Sequence, residues 1–147
     1  MTVLTIAYKS MKNEANAVTF ACGIAGEIDG KDNFAVGFPT MLSTYQKAIL
    51  VALKYAIGIL QPVPKDLVIK CNVKYIVDLF EKVDGKYKVD PKTYAQEVND
   101  LRNRVPNLKI EKPDNIIVEV CHSVAEQAAV NYKLCWFGYA PCLALKT

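Results

Sequence analysis

The stretch that decides the fold is VTFACGIAGEIDGKDNFAVGFP, residues 18–39, in which two apolar runs flank an Asp-Gly pair. The runs Val18–Ile28 and Asn33–Phe38 have the composition of strands. Asp29 and Gly30 between them suit a type I′ turn, because both central residues of that turn need a positive φ. The sequence therefore predicts an antiparallel hairpin whose second arm ends at Pro39.

On either side of this hairpin lie a further strand and a long helix. Val3–Tyr8 is a short apolar run typical of a buried central strand. After the hairpin, Ser43 or Thr44 is placed to cap a helix. Apolar residues then recur at helical spacing until Pro62 and Pro64 end the pattern. These residues are Tyr45, Ala48, Ile49, Ala52, Leu53, Ala56, Ile57 and Leu60.

The second half of the chain alternates between strand and helix patterns. The order β, β, β, α, β, α, α, β, α predicts one α/β domain over residues 1–147 with a mixed sheet. An apolar tail without a clear period begins at about residue 137. The later elements are a strand at Asp66–Cys71, a helix capped by Asn72, a loop at Lys82–Asp90, a helix opened by Pro91, a loop at 106–114, a strand at Asn115–Cys121 and a helix capped by Ser123 with Glu126.

Composition limits the class of protein and the cellular compartment that we expect. The chain has 147 residues, of which 52% are hydrophobic and 22% charged, as in a well-packed domain. Its net charge of +3 permits contact with phosphates without demanding it. Five cysteines without a CxxC pair indicate buried, reduced thiols in an intracellular, cytoplasmic protein. Neither a signal peptide nor a long apolar span is present, so we expect no membrane partner.

The order of elements resembles that of a ribonuclease H domain, and the local sequence does so too. The family's first strand ends in aromatic, Thr, Asp, Gly, Ser. Here the run is Ile6–Ser10, with Tyr8 in the Asp place. The family's long helix opens with Asn, Arg, Ala, Glu, Leu. Here the run is Gln46–Leu50, with Ile49 in the Glu place.

The resemblance continues to about residue 137. Cys71–Tyr75 matches the family's next strand end, with Asn72 in the place of Asp. Cys121–Ser123 matches the family's Gly-His, and Asn131 takes the last Asp place. The resemblance implies an α/β fold of the RNase H type, in which a five-stranded mixed sheet of antiparallel hairpin strands and parallel strands is flanked by helices.

The resemblance also implies which chemistry is missing. Family members cut with two Mg²⁺ ions held by carboxylates, and Tyr8, Ile49, Asn72 and Asn131 supply no such charge. We therefore expect no metal, no cofactor and no nuclease activity, as in a pseudoenzyme. A misaligned chain with a different carboxylate cluster is the alternative, and its members would be Glu14, Glu27, Asp29 and Asp32.

Thiol and zinc chemistry offer other enzymatic interpretations. His122 falls where the family has a mobile histidine that aids product release, a role that lapses without metals. Cys71 ends a neighbouring strand and could approach His122, although buried core thiols are the commoner case. Cys135 and Cys142 with one histidine match no closed zinc set.

One remaining function is protein interaction. Degenerate RNase H-like domains serve as connection or scaffold domains in reverse transcriptases and ribonucleoprotein assemblies, which suits a viral or mobile-element protein. The aromatic tail offers interface anchors for a protein partner or a second copy in a homo-oligomer, unless it folds back over its own sheet. The candidates are Trp136, Phe137, Tyr139 and Leu143.

The other function is nucleic-acid binding without cleavage. The polar candidates near the family's catalytic edge are Lys9, Ser10, Gln46, Lys47, Asn72, Lys74 and His122. The candidates in the later loop, near a basic protrusion of the family, are Lys82, Lys86, Lys88 and Tyr87, the last as a base-stacking ring. The alternative is that these lysines only solvate the surface, since Asp78, Glu81, Asp84 and Asp90 lie among them.

Overall fold

Three long antiparallel strands form the first part of the protein. The computed structural model describes residues 1–12, 15–60, 63 and 65–138, and at 32, 33, 41, 59 and 135–138 it describes the backbone alone. Strands β1 (Thr2–Lys12), β2 (Val18–Ile28) and β3 (Lys31–Leu42) pair in turn. The predicted hairpin turn is confirmed, because Asp29 has φ 53° and Gly30 has φ 81°.

The rest of the described chain adds helices and shorter strands. In chain order these are α1 (Tyr45–Ile59), β4 (Leu67–Lys70), α2 (Lys74–Phe80), β5 (Lys82–Val83), β6 (Lys86–Tyr87), α3 (Ala95–Arg104), β7 (Lys109–Glu111), α4 (Asn115–Asn131) and β8 (Cys135–Gly138). The main sheet has the order β7-β4-β1-β2-β3-β8. Strands β1, β4 and β7 run parallel, and the other pairs are antiparallel. The expected five-stranded mixed sheet is confirmed, and β8 extends it at the β3 edge.

The prediction of a strand at Asn115–Cys121 is wrong, because these residues form the first two turns of α4. Asp114 caps the helix by accepting a hydrogen bond from the Ile116 backbone N–H at 3.1 Å. Val118, Cys121 and Ala125 then turn one buried face to the sheet. The predicted cap Ser123 lies inside this helix, and the missing parallel strand is β7, within the segment predicted as a loop.

Three other boundaries differ from the prediction. Strand β3 continues to Leu42, past the end expected at Pro39, because its backbone still pairs with β2 there. The N-cap of α2 is Val73 rather than Asn72, and α3 begins at Ala95 rather than at Pro91. Thr44 is the N-cap residue of α1, but its hydroxyl hydrogen-bonds the Tyr94 hydroxyl at 2.9 Å and not the helix backbone. No helix in the described part of the chain is long and apolar enough to cross a membrane.

The two faces of the sheet carry different helices because their side chains differ in size. Leu4 and Ile6 pack in the main core with α1, whereas Ala7 packs against α4. Glycines let α4 approach closely: a Cβ on Gly23 would stand 1.9 Å from the Cys121 carbonyl oxygen. This close approach brings the middle of α4 over β1, and with it His122.

Candidate functional site

A cleft of about 590 Å³ opens where β1, the residues after β4, and the helices α1, α2 and α4 come together. Each element contributes to it: Tyr8 lies in β1, Tyr45 begins α1, Asn72 follows β4, Lys74 begins α2 and His122 lies in α4. The residues that line this cleft are Ala7, Tyr8, Lys9, Ser10, Tyr45, Asn72, Val73, Lys74 and His122.

One wall of the cleft is aromatic. The rings of Tyr8 and Tyr45 stack with their centroids 4.8 Å apart and their planes at 20°. Phe20 meets both rings edge-on, with its centroid 5.6 Å from that of Tyr8 and 5.8 Å from that of Tyr45. All three rings are half-buried. Packing of this kind holds the two tyrosines in place, and both are lining residues of the cleft.

Besides Ala7 and Val73, the rest of the lining is polar and includes two lysines and a histidine. The Lys9 ammonium lies 3.7 Å from Glu126, and that of Lys74 lies 3.5 Å from Asp78. The His122 Nδ1 atom lies 3.8 Å from a carboxylate oxygen of Glu119. The Lys74 side chain is 90% exposed and that of Lys9 is 39% exposed. Such exposed pairs contribute about 0–1 kcal/mol, so an anionic ligand can compete for these cations.

The carboxylates of the described residues lie outside the lining of the cleft. Among the same residues, no group of three His, Cys, Asp or Glu is placed to hold an ion. Of the alternative carboxylate set, Asp29 binds the N-terminal amine at 2.8 Å and Glu27 lines a different hollow. Glu14 and the side chain of Asp32 lie outside what the structure describes.

The structure brings Tyr8 and Asn72 together but not the other two residues aligned with metal ligands. Ile49 is fully buried in the core, and Tyr45, one helical turn earlier, lines the cleft instead. Asn131 ends α4 and is exposed, whereas His122 is the lining residue of that helix. Sequence reasoning missed Tyr45, although its place as the first residue of α1 was a usable signal.

The predicted nucleic-acid contacts divide into two groups. The cleft gathers Lys9, Ser10, Asn72, Lys74 and His122. Gln46 and Lys47 are half-buried on α1 and do not line it, and the Lys47 ammonium lies 6.0 Å from the centre of the Tyr94 ring.

The later lysines belong to a small hairpin, β5–β6, that the sequence had suggested to be a loop. The Lys82 ammonium donates to the Pro106 carbonyl at 2.7 Å, and Lys88 lies 3.6 Å from Glu81. Lys86 is exposed in β6. The half-buried Tyr87 ring is covered by the Arg102 guanidinium at 4.0 Å and by the Lys82 ammonium at 4.7 Å. In this arrangement the Tyr87 ring makes contacts within the fold, with Arg102 and Lys82.

The predicted protein-interface residues fall at or beyond the end of the described chain. Trp136 and Phe137 lie in β8, where their backbones pair with Val36 and Ala35 of β3. The start of the tail therefore adds an edge strand to the sheet as far as Gly138, and both alternatives, folding back over the sheet and meeting a partner, stay predictions. Tyr139 and Leu143 lie outside the described residues.

A second hollow adjoins the cleft and was not predicted. It has a volume of about 710 Å³ and shares Asn72 and Lys74 with the cleft. Its other lining residues come from the position that follows β4, from α2, from β7 and from the segment that leads into α4. They are Cys71, Val77, Asp78, Ile110, Glu111, Lys112, Pro113 and Asn115.

The three cysteines whose side chains the structure describes lie in the core. Cys22, Cys71 and Cys121 are buried and unpaired by disulfides, which confirms that prediction for these three. Burial raises the pKa of Cys71 to about 11 and the pKa of Cys121 to about 12. The Cys121 thiol donates to the Thr5 carbonyl at 3.3 Å. Neutral thiols at ordinary pH give no support to cysteine catalysis.

Comparison with known proteins identifies the fold. No family model matches the sequence, and no curated protein matches it. Among solved structures, LC11-RNase H1 in complex with an RNA/DNA hybrid is similar, with a TM-score of 0.64 and 16% identity over 87% of this chain and 99% of that chain. The solution structure of the prototype foamy virus RNase H domain has a TM-score of 0.59 and 14% identity over 88% and 92%.

The native prototype foamy virus protease–reverse transcriptase is also similar, with a TM-score of 0.62 and 12% identity over 87% of this chain. This chain spans only 20% of that longer one. At these identities the likeness shows the fold, and the fold is RNase H-like. The sequence-based resemblance is thus confirmed at the level of architecture.

Proposed function

We propose that the protein is a catalytically inactive RNase H-like domain that binds nucleic acid in the cleft without cutting it. The observation that carries this proposal is the lining of the cleft, where Lys9, Lys74 and His122 lie among tyrosines and an amide, with no described carboxylate. The RNase H-like fold supports a domain that works with nucleic acid. The similar LC11-RNase H1 was solved with an RNA/DNA hybrid, which supports the same class of ligand.

The expected loss of cleavage follows from ligand chemistry. Magnesium in two-metal sites is held by carboxylate oxygens, because anionic ligands offset the cost of dehydrating the ion. Tyr8, Tyr45, Asn72 and His122 occupy the cleft with phenol, amide and imidazole groups. Such a lining repels phosphates less than a carboxylate cluster does, so binding is compatible with the loss of catalysis.

Cationic contacts imply a specific dependence on salt. If Lys9 and Lys74 each neutralise one phosphate, the slope of log K against log salt is about −2 for a duplex. Fluorescence anisotropy with a labelled RNA/DNA hybrid at about 50 and 200 mM salt measures that slope. The double variant K9Q/K74Q is expected to bind more weakly and to have a flatter slope.

A matched control separates the cleft from overall charge. K31Q/K54Q makes the same charge change at two exposed lysines that do not line the cleft, and Lys54 has a similar ion pair, 3.6 Å from Asp100. This control is expected to bind nearly as the parent does. Equal losses in both double variants, or no salt-dependent binding of either the hybrid or its unpaired RNA strand, would contradict binding in the cleft. Cleavage of the hybrid with Mg²⁺ or Mn²⁺ would contradict inactivity.

A protein-interaction or scaffold role is the second candidate, supported by three exposed apolar side chains on the solvent-facing side of α4, among polar residues such as Ser123 and Gln127. Ile116 is 74% exposed, Val130 is 64% exposed, and Val120 lies between them on the same face. The foamy virus likeness favours a viral assembly as its setting. Light scattering after size exclusion tests for a homo-oligomer, with I116S/V130S as the variant. A monomer with no partner on this face at high concentration would exclude the homo-oligomer.

A further inference from the structure

We propose that the cleft selects an unpaired nucleic-acid strand over a duplex, by stacking a base on the Tyr8–Tyr45 wall while Lys9 and Lys74 bind the adjoining phosphates. This inference rests on the proposed function and names its ligand more closely. Two features of the described cleft carry it: an aromatic wall that is already assembled and two lysines in the same lining.

The wall is suited to stacking because it is fixed before any ligand arrives. Tyr45 is anchored by Tyr8, and Phe20 supports both rings edge-on. A ring that is held in one orientation loses little conformational freedom when a base stacks on it. Bases of any sequence can stack on such a ring, and each stacked base strengthens binding by about tenfold or more.

Two lysines line the same cleft as this wall. Lys9 follows Tyr8 along β1, on the sheet face that carries α4, where its ammonium lies 3.7 Å from Glu126. Lys74 begins α2, two residues after Asn72. The exposed Asn72 amide offers both a donor and an acceptor to a base edge. A volume of about 590 Å³ lies in the range of sites for single small ligands, and so suits a nucleotide unit.

A duplex cannot use this wall directly. Its bases are covered above and below by their neighbours, so a base reaches the tyrosines only after unstacking and unpairing. An unpaired strand presents its bases without that cost. The preference for single strands therefore comes from the tyrosines, whereas the lysines serve both kinds of ligand.

The test compares one labelled RNA of about a dozen nucleotides as a single strand and as a duplex with its DNA complement, at the same low salt. We expect the single strand to bind at least about tenfold more tightly than the hybrid. Y45L is expected to remove most of that preference, and Y45F to retain it, because phenylalanine keeps the ring. Circular dichroism confirms that each variant is folded.

The control variant is Y55L, which makes the same change on the same helix at an exposed tyrosine outside the cleft. It is expected to keep the parent's preference. Photocrosslinking of a 4-thiouridine-labelled strand adds a positional readout, with Tyr8 or Tyr45 as the expected site.

The outcomes separate the two proposals. Equal affinity for both ligands, or an unchanged preference in Y45L, would overturn the stacking inference while leaving cleft binding in place. Failure of the parent protein to bind either ligand would overturn the proposed function and the inference together.

Discussion

The ring of Tyr45 stacks on the ring of Tyr8, with centroids 4.8 Å apart and planes at 20°. This contact joins the first residue of α1 to β1 at the mouth of the cleft. It sets which turn of α1 meets the cleft, and the next turn, at Ile49, consequently enters the core. The residue of α1 that lines the cleft is therefore Tyr45 and not Ile49.

Carboxylate substitutions distinguish these two positions. Ile49→Glu places a charge in a fully buried site, which costs several kcal/mol and is expected to unfold most of the protein. Tyr45→Glu loses the half-buried ring contacts with Tyr8 and Phe20, and we expect a loss of about 1–3 kcal/mol. Urea denaturation followed by circular dichroism measures both. Similar losses at the two positions would contradict the register of α1.

The close contact between α4 and the sheet predicts opposite effects of one substitution at two glycines. A Cβ on Gly37 would stand 1.9 Å from the Val124 carbonyl oxygen, so Gly37→Ala is expected to cost about 2–3 kcal/mol. Gly58 is exposed in α1, and its Cβ would have an ordinary 3.7 Å contact with Arg104. Gly58→Ala should gain about 0.5–1 kcal/mol. Thermal unfolding compares them, and a neutral Gly37→Ala would argue against the packing of α4.

Arg102 is expected to hold the β5–β6 hairpin to α3. Its buried guanidinium donates to the Leu79 carbonyl at 3.1 Å and the Val89 carbonyl at 2.8 Å, and it covers the Tyr87 ring. Arg102→Ala leaves buried carbonyls unsatisfied, and we expect a loss of about 2–4 kcal/mol. Arg104→Ala, at an exposed position two residues later, should change stability by under about 0.5 kcal/mol. Chemical denaturation of the two variants measures the difference.

The buried thiols predict a loss of stability in alkali. Burial keeps Cys121 protonated in the folded state, with its pKa raised from 9.0 to about 12. The unfolded chain binds fewer protons above about pH 9, so this contribution is full below pH 9 and declines up to about pH 12. Each such thiol contributes a slope of about 1.4 kcal/mol per pH unit in that window.

Cys121→Ala removes one titrating thiol and isolates this effect from lysine and tyrosine titration. We expect the free energy of unfolding to fall less steeply between about pH 9 and 11 in the variant than in the parent. Denaturation at a series of pH values gives both curves. Parallel curves would mean that Cys121 titrates in the folded protein much as it does in the unfolded chain.

Residues 115–121 form a helix where the sequence pattern alone predicted a strand. The run Ile116, Ile117, Val118 is β-branched and favours a strand by composition. The same segment also places Val118, Cys121 and Ala125 at helical spacing, and burial of that face prevails in the fold. The choice depends on Gly23 and Gly37, which lie far away along the chain and let a helix backbone approach the sheet.

The sequence by itself determined the hairpin turn at Asp29-Gly30, the apolar strands β1, β2 and β4 and the span of α1, because turn geometry and periodicity are local properties of the chain. That Tyr8 and Asn72 stand where the family has metal-binding carboxylates stays a prediction from the resemblance. Only the tertiary structure decided that Tyr45 and His122 complete the cleft and that Ile49 does not. Each helical turn repeats the same pattern, so only packing against the sheet decides which turn reaches the cleft.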